Sequence, residues 1–216
     1  MINVDLMIFD LDGTLVDSRK DIVKAVNYVL GKLGIKAKPF DEIVSYVGTG
    51  VEDLLAKSTT LTDAETLKRA LSIFEEYFSE HSSDESVLYP HVRETLEFFR
   101  DKTKVVVTNR MTKFSELTLK ILGVYGYFEE IVGGDDKNCR KPSGCQIESF
   151  FERFERPIAR DRVIMIGDMA IDVLSGKAVG IITCAVTYGL VREDEIRKVA
   201  PDYIIDDIIE LRDIIT

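Results

Sequence analysis

The run Leu6-Met7-Ile8-Phe9 is apolar throughout and is followed at once by Asp10-Leu11-Asp12-Gly13-Thr14. A short apolar run closed by a turn signal reads as a buried strand. In an open parallel α/β sheet, the end of such a strand is where ligands bind. Asp10 and Asp12 emerge there although packing has no use for them, since like-charged carboxylates repel and resist desolvation. A hard divalent cation removes the conflict. Mg²⁺ takes oxygen ligands and is usually held by one or two carboxylates together with phosphate. Gly13 lets the backbone approach an anion, and the Thr14 hydroxyl with nearby amides can help to bind it. Taken alone, Asp-Leu-Asp-Gly also suits a plain strand-ending turn. A calcium loop is excluded, because its twelfth position requires Glu and Asp21 stands there.

Alternation governs the rest of the chain. Ile22, Val23, Val26, Val29, Leu30 and Leu33 recur at helical spacing, and Gly34 follows as a cap. Further helical patterns cover residues 40–46, 51–57 and 63–78, the last with Thr62 and Glu65 placed as a capping box. The polar cluster from His81 to Ser86 reads as a linker. Helices are then expected over residues 91–100, 113–122, 144–154 and 170–178. Strands are expected over 104–107, 127–132, 163–166 and 181–186, with a final strand and helix between 203 and 214. Strands alternating with helices imply a mostly parallel sheet with right-handed crossovers. The expected architecture is therefore α/β: a Rossmann-like doubly wound parallel sheet from residues 1–16 and 87–216, with an inserted helical cap domain at 17–86.

A chain of 216 residues has room for such a core and insertion. Its 45% hydrophobic and 31% charged residues are ordinary for a globular protein. A net charge of −10 argues against nucleic-acid partners, which need a basic surface. An anionic substrate must instead be drawn in by local cations or a metal. No apolar run reaches membrane-spanning length and no basic-then-apolar leader opens the chain, so a cytoplasmic protein without a membrane partner is expected. Cys139, Cys145 and Cys184 cannot all pair within one chain, which suits a reducing compartment. Cys139 and Cys145 read as incidental thiols rather than a redox switch.

Three more polar clusters follow apolar strands. Thr108-Asn109-Arg110 offers hydroxyl and amide groups at a strand end. Lys141, before Pro142 in a strand-to-helix loop, is placed to neutralise a carboxylate and an incoming phosphate. Asp168 would open a helix, and Asp172 one turn later shares its face, which suits metal duties. Each has a plain alternative as a strand-end hydroxyl, a solvent-facing lysine or a helix cap.

In order, Asp10-Leu11-Asp12-Gly13-Thr14, Thr108-Asn109, Lys141-Pro142 and Gly167-Asp168 with Asp172 reproduce the motifs of the haloacid dehalogenase superfamily, and the chain resembles its phosphoglycolate phosphatase-like subgroup along its whole length. The resemblance implies Asp10 as nucleophile, forming an aspartyl-phosphate, and Asp12 as general acid and then base. It implies Mg²⁺ held by the Asp10 carboxylate, the Asp12 main-chain carbonyl and Asp168, with Asp172 orienting Lys141 or metal-bound water. Thr108, Asn109 and Lys141 would bind phosphoryl oxygens, with Gly13 and Thr14 beside them. The loop from Tyr46 to Glu52 resembles the subgroup's cap loop, whose Gly48 and Thr49 would meet the substrate; a plain helix–helix turn explains its glycines equally well.

The implied partner is a small phosphorylated metabolite such as 2-phosphoglycolate, bound by a monomer or small homo-oligomer. Nucleotidase, pyrophosphatase and β-phosphoglucomutase-like activities are the alternatives. A receiver-like phospho-aspartate switch is the non-enzymatic one, but receivers place their phosphoacceptor after a later strand and lack such an insertion. Two departures stand out: no second proline follows Lys141-Pro142 closely, and Tyr89-Pro90-His91 replaces the usual Pro-Gly connector.

Overall fold

A computed structural model describes residues 1–61, 63–154, 157–190 and 193–216. Along the chain, β1 (Leu6–Phe9) and a short β2 (Val16–Asp17) precede α1 (Arg19–Lys32), α2 (Phe40–Val44), α3 (Val51–Thr59) and α4 (Ala64–His81). Then come β3 (Val87–Leu88), α5 (Val92–Phe98), β4 (Thr103–Val107), α6 (Thr112–Ile121), β5 (Glu130–Val132) and α7 (Cys145–Arg153). The chain finishes with β6 (Val163–Gly167), α8 (Ala170–Ala178), β7 (Ile182–Val186), α9 (Glu193–Lys198), β8 (Tyr203–Ile205) and α10 (Leu211–Ile214).

Six strands form one parallel sheet in the order β5-β4-β1-β6-β7-β8. The chain winds outward from β1 to β5 on one side, then crosses to β6 and winds outward on the other. The order reverses between β1 and β6, and a crevice opens at such a switch point. Register fixes what lines it. Phe9 pairs with both Val106 and Ile166, so Asp10, Thr108 and Asp168 leave the sheet along one edge. All four residues of β1 are buried because helices cover both faces. Met7 and Phe9 join Leu96, Leu119 and Ile164 in one core, while Leu6 and Ile8 join Ile147, Phe150 and Met165 in the other.

Helices α1–α4 build a core of their own from Val26, Leu30, Ile43, Leu55, Phe74 and Phe78, which Phe114 of α6 also enters. Gly34 takes φ +71 after α1, where the Ile35 amide turns back to the Leu30 carbonyl at 2.8 Å. Asp63 caps α4 by accepting from the Thr66 amide at 2.8 Å. The expected cap Thr62 lies outside the described residues. No described helix is long and apolar enough to cross a membrane.

Entry to and exit from the insertion are tied together. β2 pairs antiparallel with β3, and buried Asp21 accepts from the Glu85 amide (3.1 Å) and the Ser86 hydroxyl (2.6 Å). Two-residue strands carry no periodic signal, so this pairing is a finding of the structure, as is α9. The strand expected over 127–132 is shorter. A 3-10 turn at Tyr125–Tyr127 buries Phe128 first, and contact with the β4 edge begins where the Glu129 amide meets the Lys104 carbonyl at 2.8 Å. His91, at the connector position where the subgroup usually has glycine, adopts the left-handed conformation at φ +59.

Replacing Asp21 by Ala leaves two donors at the junction without their acceptor. Urea denaturation should show a loss of about 1–3 kcal/mol, whereas Asp41→Ala on the exposed side of α2 should leave the midpoint unchanged.

Candidate active site

The carboxyl edge of the sheet gathers four acidic and two basic side chains. Asp10 continues β1 by one residue, its amide donating to the Ile166 carbonyl at 2.9 Å. Its Oδ1 accepts from Lys141 Nζ at 2.5 Å, and the same ammonium donates to Asp172 Oδ1 at 2.6 Å. All three groups are almost wholly buried. Asp168, fully buried, accepts from the Thr14 hydroxyl (3.2 Å) and the Leu190 amide (2.7 Å). Gly13 makes room for it: a Cβ there would lie 2.2 Å from Asp168 Oδ2, and φ is +94.

Burial pushes the Asp10 carboxyl up to about 7, against the pull of the Lys141 ammonium. Burial pushes Asp168 well above the carboxylate range too, and the charges of Asp10 and Asp172 add to it. For Lys141, burial opposes the charge, but Asp10 and Asp172 outweigh it and hold the ammonium above the ordinary lysine range.

Oxygen atoms of Asp10, Asp168 and Asp172 all lie within 4.8 Å of one another. Three buried carboxylates face one buried ammonium, which leaves two negative charges unbalanced when all are ionised. A hard cation of charge two fits both the oxygen-only donor set and that imbalance.

Asp12 points the other way. Its Oδ1 meets Arg110 at 2.6 Å and also accepts from the Ser18 hydroxyl. The Arg110 guanidinium lies over the Phe78 ring of the insertion at 5.2 Å and donates to Thr118 Oγ1 at 3.0 Å. Asp10, Asp12, Thr108, Asn109, Arg110 and Lys141 form the polar floor of a cavity of about 70 Å³. Val47, Val51, Leu54, Phe74 and Phe78 roof it from the insertion.

The other expected site residues divide. Thr108 and Gly48 line the cavity, whereas Gly13, Thr14 and Thr49 do not. The Thr14 hydroxyl serves Asp168, and the Thr49 hydroxyl is buried without a hydrogen-bond partner. Asn109 lines the cavity, but its amide is spent on backbone. Its Oδ1 accepts from the Lys141 amide (2.8 Å), and its Nδ2 donates to the carbonyls of Lys141 (3.0 Å) and Gly48 (2.8 Å). Gly48 sits at φ +123, a backbone conformation that residues with a side chain rarely adopt. Asn109 thus pins the lysine loop and the insertion loop to one strand end.

The haloacid dehalogenase-like hydrolase profile matches residues 7–186. The phosphoglycolate phosphatase of Vibrio parahaemolyticus is 30% identical over 222 aligned positions, covering 99% of this chain and 96% of that one. That of Aquifex aeolicus is 32% identical, with 96% of each chain covered. The chain belongs to the haloacid dehalogenase-like hydrolase family. Its fold superposes on a predicted phosphoglycolate phosphatase from Haemophilus somnus with a TM-score of 0.91 at 26% identity, covering 99% of both chains. The chain is an enzyme of this family, a phosphatase.

Sequence reasoning missed the partners of its own site residues. Arg110 was visible beside Asn109, and a charge count at the strand ends would have asked for a cation opposite Asp12. Arg140, whose guanidinium pairs with Glu52 of the insertion at 2.7 Å, carried no such signal. The reading of Cys139 and Cys145 as incidental thiols is corrected: they form a disulfide, with Cα atoms 5.1 Å apart. The bridged residues stand on either side of the inward-facing Lys141. Cys184 is free and buried, and burial pushes its thiol up to about 12.

Saturating Mg²⁺ should stabilise the protein by about 3 kcal/mol at a hundredfold excess over Kd, or about 5–10 °C in Tm. Asp168→Asn should remove most of that rise in scanning calorimetry. An equal rise in wild type and variant would show that Asp168 is not a ligand.

Proposed function

We propose that the enzyme is a Mg²⁺-dependent phosphomonoester hydrolase that works through a phosphorylated Asp10 on a small metabolite such as 2-phosphoglycolate. The observation that carries this reading is the buried Asp10–Lys141–Asp172 chain at the sheet's switch point, with Asp168 beside it. A buried carboxylate held against a cation at a cavity floor is placed for attack.

In the first step Asp10 attacks phosphorus and the ester oxygen leaves with a proton from Asp12, giving an aspartyl-phosphate and an alcohol. In the second, Asp12 takes a proton from water, whose oxygen attacks phosphorus and releases Asp10 and phosphate. Ser18 and Arg110 hold the Asp12 carboxylate in one orientation across both steps. Lys141 and the Thr108 hydroxyl face the phosphoryl oxygens, whose charge must be met as transfer proceeds. Asp10, the Asp12 carbonyl and Asp168, with Asp172 adjoining, would hold Mg²⁺, which when bound supplies the positive charge that lets two anions approach.

Residues 17–86 serve in this reading as a cap that excludes water. The cavity's size supports a small substrate, since each water needs about 10–15 Å³ of such volume and 70 Å³ holds only a handful. Arg110 and Lys141 are the cations that line it. Lys141 serves the phosphate, so Arg110 stands where a second anionic group would be met, which favours a phosphorylated carboxylate. The enzyme would act in the cytoplasm as a monomer or small homo-oligomer.

Phosphate release from 2-phosphoglycolate, nucleoside monophosphates, pyrophosphate and sugar phosphates, with Mg²⁺ or chelator, tests the assignment. Metal-dependent release is expected, fastest on 2-phosphoglycolate. It should fall to background in Asp10→Asn and by about 10²–10⁴ in Asp12→Asn. Release that survives Asp10→Asn would sink the covalent route. Arg110→Met should lower turnover generally, yet raise KM for 2-phosphoglycolate about tenfold more than for ethyl phosphate. An equal change in both KM values would remove Arg110 from substrate recognition.

A further inference from the structure

We propose that the Cys139–Cys145 disulfide is a redox modification site: intact, it fixes the loop that presents Lys141, and its reduction by a dithiol weakens phosphate binding. The inference rests on the phosphatase reading of the Lys141 site.

The two cysteines are six positions apart, and the loop they close holds Arg140, Lys141, Pro142, Ser143 and Gly144. Its two ends are anchored unequally. Cys145 opens α7, which is held to the core by buried Ile147 and Phe150 and by Gln146, whose Nε2 donates to the Thr108 carbonyl at 2.8 Å. Cys139 ends a short 3-10 turn, Lys137–Cys139, and the four residues before it, Asp135 to Asn138, are exposed. The disulfide therefore ties a surface segment to a rigid helix, one residue before Arg140 and two before Lys141.

Those residues have tasks that tolerate little movement. Lys141 Nζ bridges Asp10 and Asp172. Arg140 donates through Nε to the Gly134 carbonyl at 2.7 Å and pairs with Glu52 of the insertion. Closing so short a loop contributes less to global stability than closing a long one. A 216-residue fold with two cores on its sheet has no need of such a staple. What the bridge constrains is local, and it is the phosphate-binding loop.

The bond is also within reach. Cys145 is exposed and Cys139 half-buried. A thiolate of the dithiol attacks Cys145 Sγ and expels Cys139 as thiolate. The second thiol of the reductant then attacks the mixed disulfide and expels Cys145 as thiolate. The helix N-terminus at Cys145 favours that departure. Two electrons pass from the dithiol, which becomes a cyclic disulfide, and its two protons end on Cys139 and Cys145.

The test uses the full-length protein purified without reductant, compared before and after treatment with dithiothreitol. Iodoacetamide labelling with peptide mass analysis should find Cys139 and Cys145 blocked before treatment and labelled after it. Inorganic phosphate binding in the presence of Mg²⁺, followed by calorimetry, should weaken about tenfold on reduction, and kcat/KM should fall in parallel. The double variant Cys139→Ser/Cys145→Ser should match the reduced protein in both buffers. Labelling of both cysteines before any reductant is added, or identical phosphate affinity in the two states, overturns the proposal. Weakened phosphate binding on reduction without hydrolysis in either state would uphold the redox site and reject the phosphatase reading.

Discussion

The ammonium of Lys141, held between Asp10 and Asp172, is the contact on which the rest of the site depends. Two buried carboxylates so close together are tolerable only with a cation between them. The cation in turn is tolerable there only because both of its neighbours are acidic. Strand ends supply Asp10 and the Asp168–Asp172 turn, while the lysine arrives on a loop from a different part of the sheet. The geometry needs β1 and β6 adjacent and the β5–α7 loop folded inward over them. The doubly wound strand order meets the first condition. Asn109, paired with both backbone groups of Lys141, meets the second.

The same amide reaches the insertion through the Gly48 carbonyl, and Arg140 beside Lys141 reaches it through Glu52. The loop that carries Lys141 is thus a joint between core and insertion. Arg110 makes a second joint, its guanidinium stacked on Phe78 while it grips Asp12. The pairs Lys141–Asp10, Lys141–Asp172 and Arg110–Asp12 form within the core, and the insertion adds Ser18 against Asp12 and Phe78 against Arg110. The loop that carries Lys141 and the strand end that carries Arg110 are thus both held against the insertion.

Much of this was legible in the chain. The helices from α1 to α4 follow from apolar spacing, and Gly34 marks the end of α1 where the structure places its left-handed residue. β1 and β6 carry no polar side chain, and β4 ends in Val105-Val106-Val107, as both-sided burial demands. The harder features are those without a pattern: two-residue β2 and β3, short α9, and the 3-10 turn that shortens β5. Their form is set by what they pack against. The residue types at the strand ends were legible, but not the hydrogen bonds that they make. Thr14 and Asn109 look like anion binders in sequence and turn out to support Asp168 and the Lys141 backbone.

By itself the sequence determined which chemical groups stand at which strand ends, because residue type and apolar periodicity are local properties. Its ordered motifs also determined the family, since those groups are needed together for one chemistry. Only the tertiary structure decided the pairings: Lys141 with Asp10 and Asp172, Arg110 with Asp12, Arg140 with Glu52, and Cys139 with Cys145. The first three join residues between 31 and 131 positions apart. Such contacts depend on strand order and on the path of loops over the sheet, which no local pattern records.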